Sequence, residues 1–395
     1  MQLIYPSTAM NMSTILRDLT AATVAITAIL FTIVSANSFA AVLPEDRADL
    51  MYHSYDGGGI TVDGPSVLVR KGFADTVSIS ANYYVDTISS ASIDVVSTAS
   101  PYTEERTEVS AGIDYLHEKT LMSFGYGTSE ENDYSASSLR FSISQDFFGD
   151  LTNLSIGYAQ GSDVVGKTGD PDFEEDVSSR NYQFNLSQIL TKNWIVNVTL
   201  ETITNQGFLN NPYRTVRYLD STVPVGYSYE PERYPETRTS DAIAIRSMYY
   251  LDYRASVMLE YRYFNDTWNI KADNITLRYT HAVGDHWILE ANVRFYSQEG
   301  ADFYSDLYPY ADSQKFLARD KELSTFTSQK IGFGVSYIYP LKSTYLEKLS
   351  VNLKIDHLMF DYDDFRDVTA GGTPGDEPLY SLTADVVRFY FSIWY

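Results

Sequence analysis

Charged side chains at every second position are the residues in this sequence with the clearest capacity for chemistry. Glu260 and Arg262 stand two residues apart, and Glu290 and Arg294 stand four apart, in segments whose other positions are mostly apolar. This spacing places side chains on one face of a β-strand. Opposite charges on such faces can brace a polar interior, or they can line an aqueous path and bias which ions pass. The sequence leaves both roles open. The set with this pattern is Arg140, Glu201, Arg246, Glu260, Arg262, Arg278, Glu290, Arg294, Lys330 and Arg388.

Two acidic segments, 170–176 and 361–367, concentrate carboxylates of the kind that hard cations such as Ca²⁺ prefer. Neither matches the twelve-residue calcium loop, because the central glycine and the terminal glutamate are misplaced. Solvated surface acid is therefore the favoured interpretation, and bridging to lipopolysaccharide phosphate is as plausible as a dedicated site. The candidate metal ligands are Asp361, Asp363, Asp364 and Asp367.

Composition excludes several classes of chemistry. The chain has no cysteine, which excludes disulfides, thiolate zinc sites, iron–sulfur clusters and a cysteine nucleophile. Of the five histidines, His117, His281 and His286 fall beside short turns, and only His53 and His357 approach the opposite strand ends. No spacing around them is diagnostic of catalysis, so we expect no enzyme activity and no cofactor. A net charge of −23 without a basic run argues against nucleic acid as a partner.

The elements that must position these residues are predicted to be strands. From about residue 46 onward, two-residue alternation recurs and the spacing of an amphipathic helix is absent. Sixteen segments result, although Gly57–Gly59 and Pro65 leave fourteen as the alternative. The segments are 47–56, 60–71, 76–87, 108–116, 120–129, 135–147, 152–160, 180–190, 194–204, 240–251, 254–264, 270–281, 286–298, 327–339, 349–361 and 380–395.

The connections between these segments separate a membrane barrel from a soluble sandwich, which alternation alone would also suit. Short turns interleave with long loops at about 89–107, 161–179, 205–238, 299–325 and 362–379. Aromatic residues also mark strand ends on the apolar parity, as in the girdles at lipid–water interfaces. The pattern predicts an all-β fold, a transmembrane antiparallel up-and-down β-barrel with long extracellular loops. The girdle positions are Tyr83, Tyr115, Tyr126, Tyr158, Trp194, Trp287 and Tyr339.

The amino-terminal segment is predicted to be a signal peptide. The apolar stretch 19–34 is shorter than the roughly 20 apolar residues of a spanning helix. Small residues at Ser38 and Ala40 suit signal peptidase. We therefore expect a signal peptide at 1–40 and a barrel at 41–395; a retained anchor helix is the alternative.

The carboxy-terminal strand carries the most specific signal. Val387, Phe389, Phe391, Ile393 and Tyr395 alternate on one face up to the last residue. This resembles the signal that the barrel assembly machinery recognises. In a soluble protein, an exposed apolar edge strand of this kind would promote aggregation. We therefore expect the outer membrane of a Gram-negative bacterium as the location. The expected partners are outer-membrane lipid, lipopolysaccharide and the barrel assembly machinery.

Several segments together resemble a proteobacterial family catalogued as domain of unknown function 3570. The resemblance covers essentially the whole chain after the signal peptide and implies an outer-membrane barrel. It supplies no catalytic or ligand-binding residues. The matching segments are 52–59, 64–71, 144–150, 207–214, 302–307, 318–323 and 392–395.

The strand number and the charged side chains at the inward-facing strand positions favour a pore or transport channel for small polar solutes or ions. Sixteen strands leave room for water inside the barrel. The alternative is a non-conducting barrel that acts as a scaffold for periplasmic or surface proteins. This alternative rests on the loops, since roughly half of the chain would lie outside the wall.

Overall fold

The alternating segments of the sequence pair edge to edge in a computed structural model, which describes residues 42–90, 102–341 and 343–395. Sixteen of its eighteen strands close into one barrel, and the other two form a separate small sheet. The strands are β1 (Arg47–Gly57), β2 (Ile60–Phe73), β3 (Val77–Ser90), β4 (Tyr102–His117), β5 (Thr120–Glu130), β6 (Tyr134–Phe147), β7 (Thr152–Gly166), β8 (Glu174–Thr191), β9 (Trp194–Gly207), β10 (Thr215–Leu219), β11 (Tyr227–Pro231), β12 (Thr237–Leu251), β13 (Ala255–Asp266), β14 (Lys271–Val283), β15 (Trp287–Glu299), β16 (Phe326–Pro340), β17 (Lys348–Arg366) and β18 (Leu379–Trp394). Two short 3₁₀ helices span Lys321–Leu323 and Val368–Ala370.

The barrel closes where β1 pairs antiparallel with both β2 and β18. This confirms sixteen strands and shows that the alternative of fourteen is wrong. The first hairpin forms because Gly58 and Gly59 take the positive φ angles of 59° and 77° that its turn requires. The β2–β3 ladder has no pair at Pro65, which lacks an N–H to donate.

The apolar parity of the strands faces outward and remains exposed. So large a band of apolar surface matches the lipid-facing surface of a membrane barrel and not that of a soluble protein. The fold is therefore that of an outer-membrane β-barrel, as the sequence predicts. Within the described ranges, no helix is long and apolar enough to cross a membrane. The exposed residues include Leu50, Tyr52, Val69, Ile79, Tyr83, Phe124, Tyr126, Phe141, Ile156, Tyr182, Trp194, Leu200, Ile245, Leu259, Trp287, Phe295, Phe333 and Tyr339.

Several strands extend further at one end than the sequence predicts. β4 begins at Tyr102 and not at 108, β8 begins at Glu174 and not at 180, and β17 continues to Arg366. Above the lipid both faces of a strand contact water or loops, so the apolar alternation fades while the hydrogen-bonded ladder continues. We call this end, which carries the long connections, the outer end. The predicted signal peptide and the remaining loop residues 91–101 lie outside the described residues.

Three long connections at the outer end pack against one another. We call residues 208–236, 300–325 and 367–378 together the cap. The small β10–β11 sheet lies within the first connection, where the sequence predicts only a loop. The cap and neighbouring strand ends contain buried apolar clusters, whose members include Leu209, Val216, Tyr234, Trp268, Ile270, Phe303, Tyr308, Leu317 and Leu323.

Candidate functional site: a basic lumen wall beneath a loop cap

The predicted charged residues meet in pairs on the inner face of one wall. Arg246 Nη2 lies 2.6 Å from Glu260 Oε2, across the β12–β13 ladder. Arg262 Nη2 lies 3.0 Å from Glu201 Oε2. These residues share a face because their register partners are Arg246 with Glu260 and Ala244 with Arg262. The inner parity therefore brings opposite charges together, as the sequence indicates.

Strand β16 allows side chains of its two neighbours to meet across it. Its inner positions Gly332 and Gly334 carry no side chain, and Lys354 Nζ of β17 reaches Glu290 Oε1 of β15 at 3.2 Å. A Cβ on Gly332 would overlap Asp356 Oδ1 and the amide of Asn292. The glycines thus make room for ion pairs that span three strands.

Asp356 collects two cations on the same wall. Lys330 Nζ lies 3.6 Å from Asp356 Oδ1, and Arg388 Nη2 donates to Asp356 Oδ2. Arg278 Nε lies 3.9 Å from Glu290 Oε1, at the limit of an ion pair. Ion pairs between inward-facing side chains thus link the five strands β14 to β18.

Cations outnumber carboxylates on this wall. Arg294 has no ion pair or hydrogen-bond partner among the described residues, and its Nε is buried. The central inner positions of β9 and β12–β18 carry seven cations against four carboxylates, so 7 − 4 leaves an excess of three positive charges. The cations are Arg246, Arg262, Arg278, Arg294, Lys330, Lys354 and Arg388, and the carboxylates are Glu201, Glu260, Glu290 and Asp356. We call this set the basic wall.

The wall formed by β1–β4 holds several of its charges in pairs. Asp86 accepts from Arg106 Nη2 at 2.6 Å and lies 2.7 Å from His53 Nε2. Arg70 Nη1 donates to Asp114 Oδ2 at 2.7 Å. Between the two walls, the inner positions of β5 to β8 are mostly serine, glycine, asparagine and glutamine, with Arg140 among them. The distribution of charge around the lumen is therefore uneven.

The cap crosses the outer mouth of the barrel. Its first connection, 208–236, is rooted between β9 and β12. On one side Tyr213 Oη donates to Asp133 Oδ2 in the β5–β6 turn at 2.9 Å. On the other side Arg217 pairs with Asp306 of the β15–β16 connection and with Glu377 of the β17–β18 connection. A segment that touches connections so far apart around the barrel must extend over its opening.

Buried charges fix the cap in place. Arg217 is 0% exposed, and its Nε donates to the Asp306 carbonyl at 3.0 Å. Arg319 Nε donates to Asp306 Oδ1 at 3.0 Å, and its guanidinium lies 4.5 Å from the Phe365 ring centroid. Buried charges are tolerated when their hydrogen bonds are satisfied in this way. The cap is therefore an ordered structure in its own right.

Glu232 is one of the buried acids of the cap. It accepts from the Arg319 backbone N–H and from Tyr234 Oη, each at 2.7 Å. Burial raises the pKa of Glu232 to about 7, with Asp320 adding to the rise and Arg214 opposing it. Its protonation therefore changes within the physiological range of pH.

The four predicted metal ligands do not converge. Asp364 Oδ1 accepts from the Thr325 N–H at 2.9 Å, and Asp367 accepts from Thr369 N at the start of a 3₁₀ helix. Asp361 and Asp363 are exposed. Of the residues that the structure describes, one set of three carboxylates lies within ligand distance, and it is at a different place on the rim.

Comparison with protein families identifies the group to which the sequence is related. The model of the family described as "Protein of unknown function (DUF3570)" matches residues 16–185 and 174–356. The chain belongs to this family. Comparison with curated protein sequences finds no significant match.

Solved structures with similar architecture are membrane β-barrels. A bacterial polysaccharide outer membrane secretin is 8% identical with a TM-score of 0.49, over 89% of this chain and 99% of that one. The siderophore receptor PirA from Acinetobacter baumannii is 9% identical with a TM-score of 0.42, over 89% and 60%. In-vitro folded OmpT, an outer membrane protein of Vibrio cholerae, is 11% identical with a TM-score of 0.39, over 88% and 99%. Identities this low say nothing about a shared substrate.

The residues predicted to form the assembly signal lie along the barrel seam. Phe389 and Phe391 are exposed on the outer face, whereas the next residue, Ser392, has the opposite parity and is buried. Ile393 and Tyr395 are half-buried, and Tyr395 Oη donates to the Arg70 carbonyl of β2 at 2.9 Å. The outward parity is therefore as predicted.

The sequence pattern does not single out every residue of the basic wall and of the rim. Lys354 and Asp356 complete the basic wall, and the polar parity of the predicted strand 349–361 contained the signal for both. The sequence predicts a loop at Glu104 and Arg106, whereas β4 continues through both residues beyond its apolar alternation.

Proposed function

We propose that the protein is an outer-membrane channel for small polar solutes and that its basic wall favours anions. The observation that carries the proposal is the excess of three positive charges, together with Arg294, which has no hydrogen bond or ion pair among the described residues. Charges that served only to brace the interior would be expected to balance, since an unpaired buried cation is costly. An anionic solute or counter-ion in the lumen would supply the missing charge.

The proposed location is the outer membrane of a Gram-negative bacterium, with lipid and lipopolysaccharide around the wall. The exposed apolar band and the outward-facing Phe389 and Phe391 support this location and insertion by the barrel assembly machinery. No catalytic step is part of the proposal. His53 is 4% exposed and engaged with Asp86, so it is poorly placed to meet a substrate.

The cap gives the channel a second feature, because a solute entering from the outer end must pass around it or displace it. Arg217, Asp306 and Glu377 join three connections. Loss of these pairs would release the edge of the cap nearest to β15–β18. We therefore propose that the cap restricts entry.

Planar bilayer recordings on the purified, folded protein test the proposal. We expect discrete conductance steps and, in a potassium chloride gradient, a reversal potential of the sign for chloride. Arg294→Gln should shift that potential toward the cation side. Arg254→Gln is the matched control, because Arg254 lies in a short turn at the other end and its side chain is 55% exposed. Equal shifts in both variants would refute selection by the basic wall.

A scaffold is the second candidate, and the cap is the observation that favours it. The cap exposes Leu219, Val225, Tyr229 and Tyr310, which suit contacts with a surface protein. The recordings separate the two functions. If the folded protein and a variant with a loosened cap, Arg217→Ala, are both silent, the channel is refuted and the scaffold is favoured.

A further inference from the structure

Three carboxylates converge at the outer rim, outside the basic wall. Glu104 lies near the start of β4, and Glu131 and Asp133 lie in the β5–β6 turn. One oxygen from each can be chosen so that all three lie within 4.8 Å of one another. The arrangement brings together residues from two chain segments that are about thirty positions apart.

Several of these oxygens are buried without a hydrogen-bond donor. Asp133 is 8% exposed, and its Oδ1 has no partner. Both carboxylate oxygens of Glu131 are also buried without a partner. Buried polar atoms in proteins are almost always satisfied, so three unpartnered oxygens on two residues of this cluster require an explanation.

The protein itself supplies little positive charge here. The adjacent cation is Arg106, whose Nη2 donates to Asp86 Oδ2 at 2.6 Å. Glu104 Oε1 accepts from the Asn132 N–H at 3.0 Å, and Asp133 Oδ2 accepts from Tyr213 Oη at 2.9 Å. These donors are neutral, so the mutual repulsion of the three carboxylates is only partly offset.

We propose that Glu104, Glu131 and Asp133 bind one Ca²⁺ ion. Hard cations take oxygen ligands, and Ca²⁺–oxygen distances of about 2.3–2.6 Å allow ligands on opposite sides of the ion to be about 4.8 Å apart. Mg²⁺ at about 2.0–2.1 Å needs a tighter and more regular set. The unpartnered oxygens of Glu131 and Asp133 face the ion, and water completes its coordination.

The site also connects the rim to the cap. Asp133 contributes Oδ1 to the ion while its Oδ2 holds Tyr213 of the first cap connection. Tyr213 Oη in turn accepts from Thr168 N of the β7–β8 connection at 2.6 Å. Bound Ca²⁺ therefore fixes one edge of the cap. This site does not depend on whether the barrel conducts.

Calorimetric titration of the full, folded chain in detergent with CaCl₂, after removal of divalent ions by a chelator, tests the site. We expect one saturable site per chain, weaker binding of MgCl₂, and at least a ten-fold loss of Ca²⁺ affinity in Glu131→Gln. The control is Asp363→Asn, which removes an exposed carboxylate from the acidic segment 361–367, away from the proposed site, and should leave binding unchanged.

Heat-modifiable migration on gels verifies that each variant is a folded barrel, and Glu104→Gln replaces Glu131→Gln if the latter does not fold. Absence of saturable binding, tighter binding of Mg²⁺ than of Ca²⁺, or equal affinity in the wild type and the Glu131→Gln variant would overturn the proposal. Loss of binding in Asp363→Asn with retention in Glu131→Gln would place the ion elsewhere.

Discussion

Arg294 and Lys330 lie directly opposite each other in the register of β15 and β16, so two cations face each other on the inner side of the barrel. Like charges in such positions destabilise a pair of strands. Lys330 has Asp356 within 3.6 Å, whereas Arg294 has no hydrogen bond or ion pair among the described residues. The repulsion between Arg294 and Lys330 therefore lowers the stability of the barrel at this position.

The first prediction concerns the effect of this repulsion on stability. Arg294→Gln should leave the free energy of unfolding unchanged or higher, because it removes a repulsion with Lys330 and no hydrogen bond or ion pair. Arg246→Gln should lower the free energy of unfolding by about 1 kcal/mol, since it leaves Glu260 without its 2.6 Å partner. Urea unfolding in lipid vesicles measures both values. A larger loss in Arg294→Gln than in Arg246→Gln would contradict the interpretation of Arg294 as unpaired.

The second prediction concerns the order of the cap. Arg217→Ala leaves Glu377 buried without its cation and Asp306 with Arg319 alone, and breaking a buried pair typically costs about 3–5 kcal/mol. Limited proteolysis should then cut within 208–236 or 300–325 while the barrel stays intact. Arg233→Ala is the control, because Asp312 is exposed and Glu230 lies 3.7 Å away, so loss of the half-exposed Arg233 side chain should change little. Equal protection of both variants would show that the buried pairs do not hold the cap.

The third prediction concerns pH. Burial raises the pKa of Glu232 to about 7 from an ordinary value of 4.5. The folded cap therefore binds this proton more tightly than the unfolded chain, so its stability is greatest below about pH 4.5 and falls as pH rises toward 7. The groups around Glu232 are Arg214, Asp320, Tyr234 and the Arg319 N–H.

Proteolysis rates of the cap between pH 4.5 and 8 measure this effect. They should rise with pH in the wild type, and the Glu232→Gln variant should show a flatter profile. If the two profiles have the same slope, another group is responsible.

The fourth prediction concerns the glycines of β16. A Cβ at Gly332 would overlap Asp356 Oδ1, so Gly332→Ala should disrupt the ion pairs of Asp356 and reduce the yield of folded barrel. At Gly334 the nearest heavy atom to a Cβ is Glu290 Cβ at 3.3 Å, so Gly334→Ala should be milder. The folded fraction on refolding into detergent is the measurement. The reverse ranking would count against a packing role for Gly332.

The fifth prediction concerns membrane insertion. Phe391 is exposed on the outer face, so Phe391→Asp places a carboxylate against lipid, and a charge there can cost up to a few kcal/mol. Ser392→Asn is the inward control, chosen because Asp49 lies opposite Ser392 and a new carboxylate would be repelled. We expect less folded protein in outer-membrane fractions for Phe391→Asp and for deletion of Tyr395 than for Ser392→Asn. Comparable amounts of all three would mean that the two faces are misassigned.

The barrel and part of its charged wall could be predicted from sequence because both depend on a two-residue period. That period places Arg246 and Glu260 on the same side of adjacent strands, and the structure brings them to 2.6 Å. The cap has no such period. Arg217 and Glu377 are 160 positions apart in irregular connections, so nothing local indicates their contact. The carboxylate cluster at the rim could not be predicted for a related reason, because Glu104 lies in a strand extension without an apolar face.

The uneven distribution of charge around the lumen implies a transverse electric field. The basic wall carries its excess on β9 and β12–β18, while β5 to β8 offer mainly hydroxyl and amide groups. Field lines inside the barrel therefore run across its axis from one wall to the other. A zwitterionic or strongly dipolar solute would rotate as it enters, with its negative end toward Arg294. In the proposed channel, such alignment would sort molecules by how their charges are arranged as well as by their size.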